Sequence, residues 1–171
     1  MNADERRERI LQELIKASGG PVSASSLAGM FNVSRQIIVG DVALLRASGE
    51  NISATPRGYV MQSSPDGQVR QIACRHGEAD MQKELNAIVD QGCTVLDVIV
   101  EHPVYGQLTG PLHLRSRYDV AQFLERCRKS DAHPLSDLTS GVHLHTIVCP
   151  DEEAFSRVRD SLDRLGILFS M

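Results

Sequence analysis

Tryptophan is absent from this 171-residue chain, and aromatic residues make up only 4% of it. Any core must therefore be aliphatic. No apolar run approaches the ~20 residues that span a bilayer. The charged start, residues 1–9, lacks the apolar centre of a signal peptide. These absences point to a cytoplasmic protein. Cysteine is sparse: Cys74, Cys93, Cys127 and Cys149 are spaced 19, 34 and 22 apart, with no CxxC pair. In a cytosolic chain they read as reduced, partly buried thiols rather than disulfides or a zinc knuckle. HExxH, a nucleophile elbow and a phosphate loop are all missing. The enzymatic alternative is a small metal-dependent hydrolase with Glu84, Glu78 or Glu101 as base, and no motif supports it.

What is present is 42% hydrophobic residues, enough for real cores. The net charge of −4 is unevenly spread. Residues 1–62 hold seven Lys/Arg and six Asp/Glu, a net of +1, and the remainder hold eleven and sixteen, a net of −5. A weakly charged head can still bind DNA if a few arginines share one face. The polar, turn-rich stretch Gln62-Ser63-Ser64-Pro65-Asp66-Gly67 reads as a boundary. The expected division is residues 1–62, a linker and strand entry at 63–70, and a second domain at 71–171.

The first part reads as three helices and a hairpin. Over residues 4–17, Ile10, Leu11, Leu14 and Ile15 recur at helical spacing, and Gly19-Gly20-Pro21 stops the run. Ser23 caps a second helix, whose Leu27, Met30 and Phe31 are expected to face inward. Asn32 suits a left-handed turn. Ser34 caps a third helix running to about Ser48, with apolar Ile37, Ile38, Val42, Leu44 and Leu45, and Gly49 ends it. Ile52-Ser53-Ala54 and Tyr59-Val60-Met61 flank Thr55-Pro56-Arg57-Gly58 as strand, turn and strand. Two helices joined by a short turn and followed by a hairpin make the plan of a winged helix-turn-helix. Its second helix reads the major groove with its N-terminal residues. Those are Ser34, Arg35 and Gln36, with Val39 and Gly40 behind them. Arg suits guanine and Gln adenine. Arg46 and Lys16 are candidate phosphate contacts, and Arg57 at the hairpin tip is a candidate for phosphate or minor groove. A three-helix protein-interaction module with solvated arginines is the bland reading. The stretch "SASSLAGMFNVSRQIIVGDVALLRASG" resembles the helix-turn-helix of many bacterial repressors, with the pattern LA-x4-VSRQ-x4-D-x3-LR-x2-G. That resemblance implies double-stranded operator DNA as partner and a structural role for Asp41, by packing or a local hydrogen bond.

The second part alternates. Strands are expected at 69–75, 94–101, 107–114, 142–148 and, briefly, 166–169. Helices are expected at 78–91, 118–129 and 150–165. The order β-α-β-β-α-β-α-β predicts an antiparallel or mixed sheet with helices on one side, and so an α+β chain overall.

Five of the six histidines lie between residues 100 and 145. His143 and His145 in "GVHLHT" share one face of a strand, about 7 Å apart. His76 precedes a helix, and Glu84 lies about two turns into it. Three imidazoles and one carboxylate suit a first-row divalent ion. A His-x-His is also often a surface feature or a hydrogen-bonded pair. His102, before Pro103, is either a pocket residue or a turn histidine capping backbone groups. Tyr105 either lines the same pocket or packs on the sheet. His113 and His133 read as exposed or locally bonded, and Arg115 and Arg117 as solvated charges or partners for a carboxylate ligand.

The segments "DVIVEHPVYG" (97–106) and "GVHLHTIVCPDEE" (141–153) resemble the three-histidine (3H) domain of niacin-responsive, NiaR-type transcription repressors. The likeness runs from about His76 to the C-terminus, behind a matching DNA-binding head. It implies an HPr-like open sandwich and metal ligands at His76, Glu84, His143 and His145. The ion would be nickel, zinc, iron or manganese. It further implies nicotinic acid as co-repressor, control of NAD and niacin biosynthesis or uptake genes, and a homodimer. A regulator that senses the metal ion itself is the alternative.

Overall fold

The computed structural model describes residues 1–62, 66–131 and 133–170. The chain divides into two compact units, Met1–Ser64 and Pro65–Met171. Ser63, Ser64 and Pro65 of the expected boundary lie outside the described residues. Among the described residues, no helix is long and apolar enough to cross a membrane.

The first unit is α1 (Ala3–Lys16), α2 (Ala24–Phe31), α3 (Arg35–Ala47) and the hairpin β1 (Ile52–Thr55) with β2 (Gly58–Met61). Each helix starts where a side chain satisfies its free amides. Asn2 and Glu5 form a reciprocal capping box on α1, Ser23 caps α2 and Ser34 caps α3. Asn32 takes the left-handed turn, at φ 55°. The core gathers Ile10, Leu14, Leu27, Ile38, Val42 and Leu45. Several expected apolar contacts face water instead: Ile15, Met30, Ile37 and Leu44 are all exposed. On α3 only Ile38, Val42 and Leu45 keep the i, i+4, i+7 spacing of one stripe. Ile37 and Leu44 each sit one residue off it. The short α2 has room for only Ala24, Leu27 and Ala28 in its buried patch.

Asp41 has the structural role expected of it, but across the unit rather than locally. It is buried on α3, and its carboxylate accepts from Arg6 Nε at 2.6 Å and Arg7 Nη1 at 3.4 Å. Together with a third, from Arg6 Nη2 at 3.3 Å, these bonds fix α3 against α1.

The second unit has β3 (Gln68–Arg75), α4 (Met81–Val89), β4 (Thr94–His102), β5 (Gly106–Leu114), α5 (Arg117–Ser130), β6 (Val142–Cys149) and α6 (Glu152–Arg164). The four strands form one sheet in the order β3-β6-β4-β5, with every pairing antiparallel. α4, α5 and α6 bury into one aliphatic cluster with Ile72, Val95, Leu114 and Ile147. This is the α+β arrangement the element order predicts, with an open-sandwich sheet. Two local expectations change. The helix expected at 78–91 begins as a 3-10 turn, Glu78–Asp80, before α4 proper. The expected last strand reduces to one bridge, Cys74 to Leu168, held by Arg75 N to Ile167 O and Phe169 N to Ala73 O. The amides of Ile167 and Leu168 turn back to the Leu162 carbonyl at the end of α6, which leaves few groups to pair.

One glycine joins the ends of β3 and β6. Gly141 sits at φ +92°, and its carbonyl accepts from His76 N–H. A Cβ there would fall 2.5 Å from the His76 carbonyl oxygen. Gly141→Ala should therefore cost at least about 2 kcal/mol, read as a lower midpoint in urea or thermal unfolding. Asp41→Ala should lower the melting temperature of the first unit by several degrees while leaving that of the second unchanged, resolved by calorimetry.

Candidate metal centre

Strand alternation sets the centre. On β6, His143, His145, Ile147 and Cys149 are all buried, the last two within the helix-side core. On β3, Ile72 and Cys74 face the same core. Cys74 pairs with His143 and Ile72 with His145 across the ladder. His76 follows on the same face, just past Arg75. α4 lies over this end of the sheet and turns Met81, Glu84, Leu85 and Ile88 inward. Glu84 is a carboxylate in an otherwise apolar stripe, and only 1% of it is exposed.

All three imidazoles meet that carboxylate. His76 Nε2 lies 2.5 Å and His143 Nε2 2.7 Å from Glu84 Oε2, and His145 Nε2 lies 2.6 Å from Oε1. The rings fan edge to face, with centroids 4.8 Å apart for both His76–His143 and His143–His145. Each Nδ1 is already used. His76 donates to Gly77 O at 2.7 Å, His143 to Gly141 O at 2.8 Å and His145 to Asp97 O at 2.7 Å. A carbonyl can only accept, so each Nδ1 carries a proton. A neutral ring then presents a bare lone pair at Nε2. Three such lone pairs facing carboxylate oxygens repel unless protons or a cation lie among them. The donor set and its outer hydrogen bonds therefore fit a metal ion.

Without an ion, protons take that place among the rings. Burial opposes charge on His76 and His145, but the Glu84 carboxylate outweighs it and raises both. Burial would also raise Glu84, yet the rings hold its carboxyl well below the usual range.

Three contributors escape a linear reading. Cys74 is fully buried, and its sulfur, a Glu84 oxygen and a His143 nitrogen lie within 4.8 Å of one another. The signal for it is its position, two residues before His76 on one strand face. Asp97 owes its place to irregular register. β4 pairs Val95 with Ile147 but Ile99 with Leu144, so it carries one extra residue there. Such a bulge re-aims local groups. It frees the Asp97 carbonyl for His145, and Asp97 Oδ1 accepts from Thr146 N at 2.9 Å. Gly141 is the third, through its carbonyl.

His102 and Tyr105 lie elsewhere, at the β4–β5 turn. His102 Nδ1 accepts from the amides of Val104 and Tyr105, as a turn-capping histidine does. It also lines a cleft of about 640 Å³ with Ala73, Val142, Leu144 and, from the centre itself, His143. Tyr105 is 74% exposed, with its ring 5.0 Å from that of His102. A smaller cleft of about 450 Å³ opens beside His76, lined by Arg75, Asp137, Ser140 and Gly141. Arg117 is paired with Asp90, and His133 is exposed near Asp137.

In the first unit, Arg35 and Gln36 are exposed on the opening turn of α3, and Arg46 on its last. Eleven residues bring Arg46 back to the Arg35 side, about 16 Å along the axis. Ser34 Oγ accepts from Ile37 N. Arg57 is half-buried in the β1–β2 turn, where its amide donates to Thr55 Oγ1.

Residues 69–171 match the 3H domain family, and residues 6–60 match an HTH domain family. The chain is 42% identical over 165 residues to the probable transcription repressor NiaR of Thermotoga maritima, covering 95% of this chain and 94% of that protein. It is 43% identical over 167 residues to the transcription repressor NadR of Bacillus subtilis, covering 95% and 92%. The chain is thus a DNA-binding regulator rather than an enzyme, and it belongs to the 3H-domain transcription repressors of the NiaR and NadR type.

Proposed function

We propose that this repressor acts in the cytoplasm as a homodimer on operator DNA. Its co-repressor is nicotinic acid, sensed at a transition-metal centre made by His76, Glu84, His143 and His145, and it controls niacin and NAD genes. The observation that carries the sensor reading is the convergence of three Nε2 atoms on one buried carboxylate, with every Nδ1 bonded outward. Nickel, zinc, iron and manganese all accept such a set, and the Cys74 sulfur lies within 4.8 Å of two of its members, although burial and Glu84 favour its protonated form. When bound, the ion supplies a cationic anchor for a small carboxylate.

The remaining work falls to the chain. The carbonyls of Gly77, Gly141 and Asp97 hold the rings in orientation. The cleft beside His76 suits a flat acid, and Arg75 at its rim offers a guanidinium to a carboxylate. The cleft ending at His102 is the other candidate seat for an aromatic ring. Effector binding shifts the dimer toward the form whose two α3 helices match half-sites one DNA turn apart. Arg35 and Gln36 read base edges. Ser34 opens the same turn, and Arg46, Lys16 and Arg57 hold phosphates or, for Arg57, the minor groove.

Two experiments test this. The first is a mobility-shift titration on the promoter beside the chain's own gene, with nicotinate, nicotinamide and a chelator in turn. Nicotinate should tighten binding at least about tenfold, and the chelator should remove the gain. Glu84→Gln should keep basal DNA binding, lose the nicotinate response and bind metal at least about 100-fold more weakly. A full response to metal without nicotinate would make the protein a metal-ion sensor instead. The second compares operator with scrambled duplex over a salt series. Arg35→Ala should weaken operator binding about 10–100-fold and relax preference at one base pair. Arg46→Ala should weaken both duplexes alike and lower the salt slope by about one. Equal losses on both duplexes for Arg35→Ala would remove that residue from base reading.

A further inference from the structure

At the other end of the same sheet face, two buried thiols meet. Cys93 immediately precedes β4, and Cys149 ends β6. The ladder pairs Thr94 with Val148 and Val95 with Ile147. One step further along it, Cys93 falls opposite Cys149. Facing residues of an antiparallel pair hold their Cβ atoms about 5 Å apart, close to the roughly 4 Å that a disulfide spans. The two Sγ atoms lie 2.9 Å apart, and both residues are essentially inaccessible to water. That contact is closer than non-bonded sulfurs pack. The other thiols lie apart from this pair: Cys74 stands beside Glu84, and Cys127 is half-buried on α5.

We propose that Cys93 and Cys149 form a thiol–disulfide site that closes in the presence of a small-molecule disulfide of the oxidised-glutathione class. In the first step one protein thiolate, exposed by local opening of this end of the sheet, attacks the small disulfide, forming a mixed disulfide and releasing one small thiol. The second protein thiolate then attacks the protein sulfur of that mixed disulfide and releases the other. Two protein thiols and one small disulfide become one protein disulfide and two small thiols. Cytosolic disulfides of this kind are usually transient and redox-sensing.

The placement gives the bond a consequence. Cys93 lies just beyond the end of α4, the helix that carries Glu84. Cys149 lies on β6, the strand that carries His143 and His145. Oxidation would tie the carboxylate's element to the histidines' element across the loop from 93 to 149, restricting the unfolded chain. Burial raises both thiols above their ordinary range, so thiolate is scarce and closure is slow.

The test uses full-length protein brought to equilibrium in glutathione buffers from reduced to oxidised, then acid-quenched for intact-mass and peptide mapping. No metal, effector or DNA is needed, so its outcome is independent of the sensor reading. The wild type should lose two hydrogens as a monomer and yield one cross-linked peptide joining Cys93 to Cys149. Cys127→Ser should behave the same, whereas Cys93→Ser and Cys149→Ser should form no intrachain bond. The oxidised wild type should also melt several degrees above the reduced protein. Four free thiols at the oxidised end, glutathione adducts alone, a bond using Cys74 or Cys127, or an oxidised form that melts no higher would each overturn the proposal. The wild-type map decides the matter even where a serine variant fails to fold.

Discussion

A buried carboxylate is costly unless it is paired and fully bonded, and the second unit is organised around meeting that condition at Glu84. Two imidazoles come from β6 and one from the residue just past β3, and each ring is held from behind by a backbone carbonyl. That backing needs unusual local structure. A glycine at positive φ brings β3 and β6 close enough to share the Gly141 carbonyl, and a bulge in β4 turns the Asp97 carbonyl toward His145. Irregular backbone here is part of the site rather than a flaw in the sheet.

The DNA-binding unit solves a related problem. Asp41 also lies on the inner face of a helix and is also buried, but its partners are guanidinium groups of α1. The pairing locks the orientation of α3 and leaves the opposite face, with Arg35 and Gln36, open to solvent. In both units a carboxylate on a helix meets cationic or ligand-type groups from a distant segment. In both, the rigid element it stabilises presents the functional groups.

Much of this was legible from residue order. Caps at Ser23, Ser34 and Asn32, the His-x-His strand and the order of strands and helices all follow from local periodicity and turn chemistry. His76 and Glu84 could be joined to the pair because a helix brings a residue eight positions on back to the same end of the sheet. The exposure of Ile37, Leu44 and Met30 was not legible, because local apolarity does not say which of two adjacent stripes finds a partner. The single bridge at Leu168 was not legible either, because a bridge and a short strand have the same composition.

The sequence by itself determined the helix-turn-helix, the His-x-His strand and the helix carrying Glu84, since these rest on short-range patterns, and the contiguous motifs that resemble the 3H domain implied that His76, Glu84, His143 and His145 belong together. Only the tertiary structure decided that Cys74 stands beside Glu84, that Asp97 and Gly141 hold the rings, that Asp41 reaches α1, and that Cys93 faces Cys149. Those relations depend on strand register and on backbone groups, and neither carries a signature in side-chain order. A shift of one residue along β6 would have turned His143 and His145 to the opposite face of the sheet.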